Sequence, residues 1–300
     1  MTPPDQREQI DRETVDAIKA LGNDQRLEIL LALTAGDPEP GRRWQTKSFT
    51  ELYGAVDIDS SSQFAYHLDQ LVGRFVAEES RGYRLTYSGD KLVRTVRSGI
   101  YERTETFEDE PVPGTCIFCE TEALMATLED DLFVVRCTAC DTPLVTDVLP
   151  RSQTRTRTPP EIVESVGCRL WSSFVQIQGG VCPECHGQVE TDLAAYEHGE
   201  KTLYTLASTC HECGFAVGIP AEVSAVLHPA VTSAFWNQGL TPSRKPLWEL
   251  FEYVVSGVIV TDLVSDDPLE LSFEITLDGE TLRFRLDEQL NISPGENNRQ

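Results

Sequence analysis

Eight of the nine cysteines in this chain of 300 residues occur in four Cys-x-x-Cys turns, which we call knuckles. The knuckles form two consecutive quartets: Cys116, Cys119, Cys137 and Cys140, followed by Cys182, Cys185, Cys210 and Cys213. One knuckle brings two thiolates to about 2.3 Å from a metal ion, and two knuckles complete a tetrahedral site. The spacing therefore predicts two zinc ribbons, each with one structural Zn²⁺ ion.

The segments between the knuckles have the pattern that a ribbon needs. Residues 120–136 predict a strand, an acidic turn and a second strand, and residues 186–209 repeat this plan with Gly199 at the turn. A four-thiolate site also accepts iron, so rubredoxin-like redox chemistry is the alternative to zinc. His186 and His211 adjoin knuckle cysteines, but we expect them to be exposed or beside the site rather than ligands.

Clustered cysteines can also form disulfide bonds instead of binding metal. Disulfides are common in oxidising compartments and rare in the reducing cytoplasm, so the location of the protein decides between disulfides and metal. The chain starts with a charged, proline-containing stretch instead of a signal peptide, and it has no apolar run long enough to span a bilayer. We therefore expect a cytoplasmic protein with reduced thiols and no membrane partner. The ninth cysteine, Cys168, lies in an apolar helical stretch and is expected to be buried.

Catalysis at these metals is not expected. A closed quartet leaves no open coordination position, and no His-Glu-x-x-His set accompanies the knuckles. The sequence also contains no nucleotide-binding glycine loop and no nucleophile elbow. We therefore predict that the chain is not an enzyme.

The charge of the chain is strongly negative and unevenly distributed. The net charge is -24, and only five of the 25 basic residues are lysine, a composition that resembles cytoplasmic proteins of salt-in haloarchaea. Residues 1–100 contain 13 basic and 16 acidic residues, whereas residues 101–300 contain 12 and 33. A polyanion would therefore bind to the first third of the chain.

The first third predicts a series of short helices and one hairpin. Helices are predicted over residues 11–21, 24–36, 50–56, 61–71 and 88–105, around a Pro-, Gly- and Arg-rich insert at 37–47. Strands are predicted over 74–79 and 83–86, which is the size of hairpin expected for a wing. The helix pair 50–56 and 61–71 followed by this hairpin predicts a winged helix-turn-helix.

The runs ALGNDQRLEILLAL, FTELY, SSSQFAYHLDQLV and GYRLT, within about residues 10–100, resemble the ArsR-type winged-helix regulators, and more loosely those of haloarchaeal type. The resemblance implies sequence-specific binding of double-stranded DNA by a homodimer, which we expect to form through helix 88–105 and the N-terminal helix. The family's metal-sensing cysteine pair is absent from this region, so any ligand sensing would lie elsewhere.

Helix 61–71 is the predicted recognition helix. With Phe64, Leu68 and Leu71 facing the core, five side chains are expected to face DNA: Ser61, Ser62, Gln63, Tyr66 and His67. Phosphate ligands are predicted in the hairpin and before the helix pair: Arg81, Arg84, Arg42, Arg43 and Lys47. The alternative for each of these residues is an ordinary solvated surface side chain.

The sequence as a whole predicts a multidomain α+β protein. The predicted segments are a winged helix-turn-helix at 1–105, a first ribbon at 106–150 that begins with an acidic linker (106–114), and a linker (151–158) and helix at 151–180. A second ribbon follows at 181–220, then a region of helices (221–237, 246–255) and antiparallel strands (258–264, 269–277, 281–287) at 221–292, and a disordered tail at 293–300.

Three functions fit these features. The first is a DNA-binding transcriptional regulator whose ribbons and C-terminal region serve protein interaction or effector response. The second is an accessory factor of the transcription machinery, because a winged helix followed by a four-cysteine ribbon also resembles the archaeal general transcription factor E; its partner would be RNA polymerase or another transcription protein. The third is a zinc-ribbon adaptor that does not bind DNA.

Overall fold

The computed structural model describes residues 11–36, 44–199 and 201–295. The chain divides into two compact units, unit 1 (residues 1–102) and unit 2 (residues 103–300). The predicted phosphate ligands Arg42 and Arg43, and the part of the predicted tail from residue 296 onward, lie outside the described residues. Several small antiparallel sheets alternate with helices, so the expected α+β class is confirmed.

The described residues of unit 1 form five helices and one hairpin. Its elements are α1 Arg12–Leu21, α2 Asp24–Ala32, α3 Phe49–Tyr53, α4 Ser61–Asp69, β1 Val76–Glu79, β2 Gly82–Leu85 and α5 Tyr87–Ser98. Side chains cap the N-termini of α2 and α3. The side-chain oxygen of Asn23 accepts a hydrogen bond from the Arg26 N–H at 3.1 Å, and Ser48 and Glu51 form a capping box at α3. The core contains Ile29, Leu52, Phe64, Leu68 and Leu85, which come from α2, α3, α4 and β2.

The β1–β2 hairpin gains a third backbone segment that the sequence did not predict. Val76 pairs with Leu85 and Glu79 with Gly82 in antiparallel register. The N–H of Lys47 donates to the Tyr83 carbonyl at 2.9 Å, and the N–H of Tyr83 donates to the Lys47 carbonyl at 2.8 Å. Two backbone hydrogen bonds therefore connect the segment before α3 to β2.

Helix α5 is shorter than predicted. It ends at Ser98 because Gly99 adopts the left-handed conformation, with φ of 71°, and its N–H donates to carbonyls of the last turn. The predicted continuation to residue 105 is wrong. Residues 107–111 instead form the first strand of unit 2.

Unit 2 contains three antiparallel sheets, five α-helices and two short 3-10 helices, Pro242–Arg244 and Leu247–Leu250, among the residues that the structure describes. The strands are β3 Phe107–Pro111, β4 Leu124–Glu129, β5 Leu132–Cys137, β6 Pro143–Val148, β7 Val189–His198, β8 Lys201–Cys210, β9 Ala216–Pro220, β10 Ile259–Asp266, β11 Leu269–Leu277, β12 Glu280–Leu286 and β13 Ile292–Pro294. The helices are α6 Arg151–Thr154, α7 Pro159–Gln178, α8 Glu222–Val226, α9 Pro229–Asn237 and α10 Phe251–Val255. The sheets run in the orders β3-β4-β5-β6, β7-β8-β9 and β10-β11-β12-β13.

Helix α7 links the two cores of unit 2. Its first half contributes Ile162 and Val166 to the core of the β3–β6 sheet, and its second half contributes Phe174 and Ile177 to the core shared by the other two sheets. The indole N–H of Trp171 donates to the Lys245 carbonyl at 2.7 Å. Both quartets therefore lie in one unit that is organised around a single helix.

Three predicted linker or tail segments have regular structure. The acidic stretch 106–114 contains β3, which pairs with β4, and the arginine-bearing stretch 151–158 contains α6. The predicted tail starts too early, because β13 pairs with β12 through Ser293 and Pro294. The predicted helix 221–237 is two helices, separated where His228 precedes Pro229, since a residue before proline disfavours the helical conformation.

Cys168 is exposed, so its predicted burial is wrong. The face of α7 that is buried contains Ile162, Val166 and Phe174, and Cys168 lies on the opposite face. Among the described residues, no helix combines the length and the apolar character that a membrane crossing needs.

Candidate metal centres

The structure brings together the four cysteines of each quartet. All four Sγ atoms of a quartet lie within 4.8 Å of one another. The first quartet joins a knuckle before β4 to the knuckle that ends β5, with Sγ–Sγ distances of 3.7 Å for Cys116–Cys140 and 3.5 Å for Cys119–Cys137. The hairpin β4–β5 therefore brings together the knuckle that precedes β4 and the knuckle at the end of β5.

The second quartet repeats this arrangement on the hairpin β7–β8. The Sγ atoms of Cys182 and Cys213 are 3.7 Å apart, and those of Cys185 and Cys210 are 3.6 Å apart. The strands pair from Val189–Cys210 to His198–Lys201 without a register shift. This regular ladder fixes the two knuckles at the same end of the hairpin.

These distances fit a metal site and exclude disulfide bonds. Four Sγ atoms at about 2.3 Å from one ion form a tetrahedron with edges of about 3.8 Å. A disulfide requires a sulfur–sulfur distance of about 2.05 Å. Each quartet therefore has the donor set and the spacing to hold one tetrahedrally coordinated metal ion.

The backbone of the knuckles explains this convergence. The residue after the second cysteine of each knuckle has positive φ: 58° at Glu120, 59° at Asp141, 65° at His186 and 76° at Gly214. In three knuckles the N–H of this residue donates to the carbonyl of the first cysteine, at 2.9 to 3.0 Å. The residue with positive φ lets the chain turn back towards the site. Of the four residues at this position only Gly214 is a glycine, the residue type that predicts positive φ from sequence.

The two thiols of the first knuckle differ in acidity. Burial raises the pKa of the Cys116 thiol to about 12. A hydrogen bond with the Thr121 side chain lowers the pKa of Cys119 to about 6. Because a metal binds thiolates, an ion that enters the quartet displaces the proton from the buried thiol.

The two histidines beside the knuckles are both exposed. His186 occupies a left-handed turn position, and the Nε2 atom of His211 lies 2.9 Å from a carboxylate oxygen of Glu190. Since four Sγ atoms already surround each site, neither histidine is needed as a ligand.

Unit 1 has a second candidate surface, the exposed face of α4. Four of the five side chains predicted there are exposed: Ser61, Ser62, Gln63 and Tyr66. The Gln63 amide donates to the side-chain oxygen of Gln25 at 3.2 Å, which orients it from α2.

His67 does not belong to this face, contrary to the prediction. Its exposed fraction is 7%. The Nε atom of Arg26 donates to His67 Nδ1 at 3.4 Å, so the ring proton of the neutral form lies on Nε2. Burial, and then the charge of Arg26, lower the pKa of His67 below its usual value of 6.5. His67 is therefore a neutral residue of the core between α2 and α4.

The two hairpin arginines have different surroundings. Arg81 is exposed in the β1–β2 turn. Arg84 is half-buried, with its Nε atom 2.5 Å from Glu79 Oε1 and its guanidinium 5.5 Å from the centre of the Trp44 ring. Arg84 is already paired with Glu79, whereas Arg81 is exposed to solvent.

The fold and the two quartets define a class of protein: an α+β chain in which two four-cysteine clusters can each hold a metal ion. The chain belongs to the family described as Domain of unknown function (DUF7351), whose model matches residues 113–292, more than half of the chain. Residues 14–96 match the model of a second family, described as Domain of unknown function (DUF7347). No curated protein and no solved structure gives a significant match.

Proposed function

We propose that the protein is a DNA-binding transcriptional regulator in which unit 1 is a winged helix-turn-helix related to the ArsR type. The observation that supports the proposal is that polar side chains at the start of α4 are exposed. In the same unit, the β1–β2 hairpin is hydrogen-bonded through its backbone to the segment before α3. In this arrangement α4 enters the major groove and the hairpin lies along the phosphates.

Four side chains of α4 would contact DNA. The amide of Gln63 has the donor and acceptor pair that matches adenine, and Ser61, Ser62 and Tyr66 reach bases or phosphates. α4 contains no lysine and no arginine, and among the hairpin residues Arg81 is the natural phosphate ligand. In molar salt phosphate contacts contribute little, so an uncharged recognition helix suits the acidic, lysine-poor composition.

The proposed regulator is a homodimer. Large apolar side chains of α1 and of the region around α5 are exposed: Ile18 by 65%, Tyr101 by 76%, and also Tyr87 and Ile100. Single exposed apolar residues are common, but several large ones in α1 and around α5 are the kind of surface that a subunit contact would bury. A second copy of unit 1 would cover them.

The metal in each quartet is proposed to be structural zinc. Four thiolates with tetrahedral spacing are the preferred ligands of Zn²⁺ in closed sites. A structural zinc site contributes about 10–16 kcal/mol of apparent binding free energy, which hairpins as small as β4–β5 and β7–β8 otherwise lack. Iron would give a coloured, redox-active protein, so the absorption spectrum distinguishes the two.

Selection of random duplex DNA by the zinc-loaded chain in about 2 M potassium chloride tests the proposed function, because lower salt exaggerates non-specific binding. We expect enrichment of a two-fold symmetric motif with half-sites about one helical turn apart. The double variant Gln63→Ala/Tyr66→Ala should lose this preference. The matched variant Gln178→Ala/Trp236→Ala, which changes exposed residues of unit 2, should keep it.

A second candidate is a transcription accessory factor or zinc-ribbon adaptor. The 33 acidic and 12 basic residues of positions 101–300 favour it, because this part of the chain repels nucleic acid. Folded protein that enriches no motif in the selection would support this candidate, and the ribbons would then contact a protein such as RNA polymerase.

A further inference from the structure

A cavity of about 490 Å³ lies in unit 2 between the two ribbons. Ile117 and Phe118 of the first knuckle form one side, and the hairpin β7–β8 forms another with Tyr196 and His198. Glu222, at the start of α8, also lines it. Cavities of about 300–1,000 Å³ accommodate small organic molecules, so this one has the size of a ligand site.

One wall of the cavity is a row of three rings. The ring centres of Phe118 and His198 are 4.2 Å apart, and those of His198 and Tyr196 are 6.3 Å apart with nearly parallel planes. The edge of this wall is fixed by Lys201, whose Nζ donates to the Ile117 carbonyl and to Glu120 Oε1, both at 2.8 Å. The rings therefore form a preorganised surface that spans both ribbons.

Glu222 is a buried carboxyl group that has no lysine or arginine partner among the described residues. Its exposed fraction is 8%. The hydroxyl of Thr261 donates to its Oε1 atom at 2.8 Å, and within the described part of the chain no other side chain bonds the carboxyl group. Burial raises the pKa of Glu222, because the charged form loses its water without gaining a cation.

The described residues of the lining include two carboxyl groups but no lysine or arginine. Among the described residues the acidic groups in the wall are those of Asp141 and Glu222, the basic group is the imidazole of His198, and neither lysine nor arginine lines the cavity. Ring faces attract cations through their quadrupole, and a buried carboxylate is stabilised by a positive partner. An anion would find no lysine or arginine partner among the described residues that line the cavity.

We propose that this cavity binds a small organic cation, a protonated amine or quaternary ammonium with an apolar body, through the ring row and the Glu222 carboxylate. The apolar body would lie against Leu203 and Phe251, which also line the cavity. The site uses no residue of unit 1, so its occupancy can be measured without DNA and does not depend on the proposed regulatory function.

The test uses the full zinc-loaded chain and benzyltrimethylammonium as the probe, measured by isothermal titration calorimetry and ligand-observed NMR. Phenylacetate and benzyl alcohol serve as an anion and a neutral molecule with the same ring. We expect the cation to bind in the millimolar range or tighter, and the two other molecules to bind at least about tenfold more weakly. No binding of the cation, or equal binding of all three molecules, would overturn the proposal.

Two variants locate the site. Glu222→Gln removes the charge but keeps an acceptor for Thr261, and it should weaken cation binding about tenfold. Its matched control is Glu288→Gln, which removes an equal charge from an exposed position and should bind as the wild type. Tyr196→Ala changes an exposed ring and should also weaken binding, so it decides the matter if Glu222→Gln fails to fold. Wild-type affinity in a folded Tyr196→Ala or Glu222→Gln chain would place the cation elsewhere and refute the proposal.

Discussion

Gly82 lies where the β1–β2 hairpin passes the backbone of Lys47. Its φ is +134°, and a Cβ atom on it would be 2.2 Å from the Lys47 carbonyl oxygen. Gly82→Ala therefore combines backbone strain with a backbone clash, and we expect it to lower the free energy of unfolding of unit 1 by about 3 kcal/mol. Thermal or urea unfolding of the chain, followed by amide exchange in β1 and β2, measures the loss.

Gly73 provides the matched control for this prediction. Its φ is also positive, +88°, but a Cβ atom would meet no other atom within 4 Å. Gly73→Ala should therefore cost only the strain of a left-handed residue, about 1 kcal/mol. Equal losses in the two variants would show that the contact between Gly82 and Lys47 is not tight.

His67 makes the stability of unit 1 depend on pH. Because its pKa in the folded protein is below 6.5, the unfolded chain binds the proton first as the pH falls. The stability that neutral His67 provides is complete above its unfolded pKa and is lost as the pH falls towards its folded pKa. Urea unfolding of unit 1 at several pH values should show this loss, and the loss should be smaller in His67→Gln. An identical pH dependence in the two proteins would contradict the assignment.

Whether a helical side chain is buried could be predicted only where the 3.6-residue period of the helix was applied to every residue, polar ones included. Phe64, Leu68 and Leu71 were assigned to the core from their spacing, yet His67 lies three residues after Phe64 and four before Leu71, on the same face. We predicted that His67 is exposed because it is polar, whereas the helical period indicated that it is buried. Cys168 is the converse, because its apolar surroundings suggested burial although Ile162, Val166 and Phe174 define the opposite face of α7.

At the scale of elements, we expect metal bound by each quartet to stabilise the hairpin that carries that quartet. Cys119→Ser removes one of four ligands, so the chain should hold one metal ion instead of two, because the second quartet keeps all its cysteines. Metal analysis by mass spectrometry measures the stoichiometry, and amide exchange should show loss of protection in β4 and β5.

Cys168→Ser is the control for that variant. Cys168 is exposed and belongs to neither quartet, so its replacement should leave two metal ions and full protection of both hairpins. A Cys119→Ser chain that retained two ions and full protease resistance in residues 107–148 would show that the first quartet does not hold its hairpin together.

Elements with a strong local signal were predictable, and those created by pairing were not. The hairpins β4–β5 and β7–β8 follow from knuckles that bracket alternating strands and tight turns. β3 is a short edge strand of mostly acidic residues, and it forms because β4 offers a free edge and Phe107 packs beside the core. The pairing of Lys47 with Tyr83 and the addition of β13 to β12 depend in the same way on partners that are distant in sequence.

At the scale of the whole molecule, the distribution of cysteines separates the two units. All nine cysteines lie between residues 116 and 213, so unit 1 has no metal ligand of this type. In unit 2, Cys182 and Cys210 belong to the same core as Phe273 and Ile275, whose sheet contains no cysteine. Loss of metal should therefore destabilise the β10–β13 sheet as well as the ribbons, and leave unit 1 folded.

Removal of the metal with excess chelator under reducing conditions tests this division. Because each structural site contributes about 10–16 kcal/mol of apparent binding free energy, which exceeds the stability of a typical domain, unit 2 should lose most of its amide protection. β1, β2 and α4 of unit 1 should keep theirs, and restoring Zn²⁺ should restore unit 2. Protection that persisted in β7, β8 and β11 without metal would mean that the apolar core alone holds unit 2 together. Equal loss in both units would mean that unit 1 depends on the metal in unit 2.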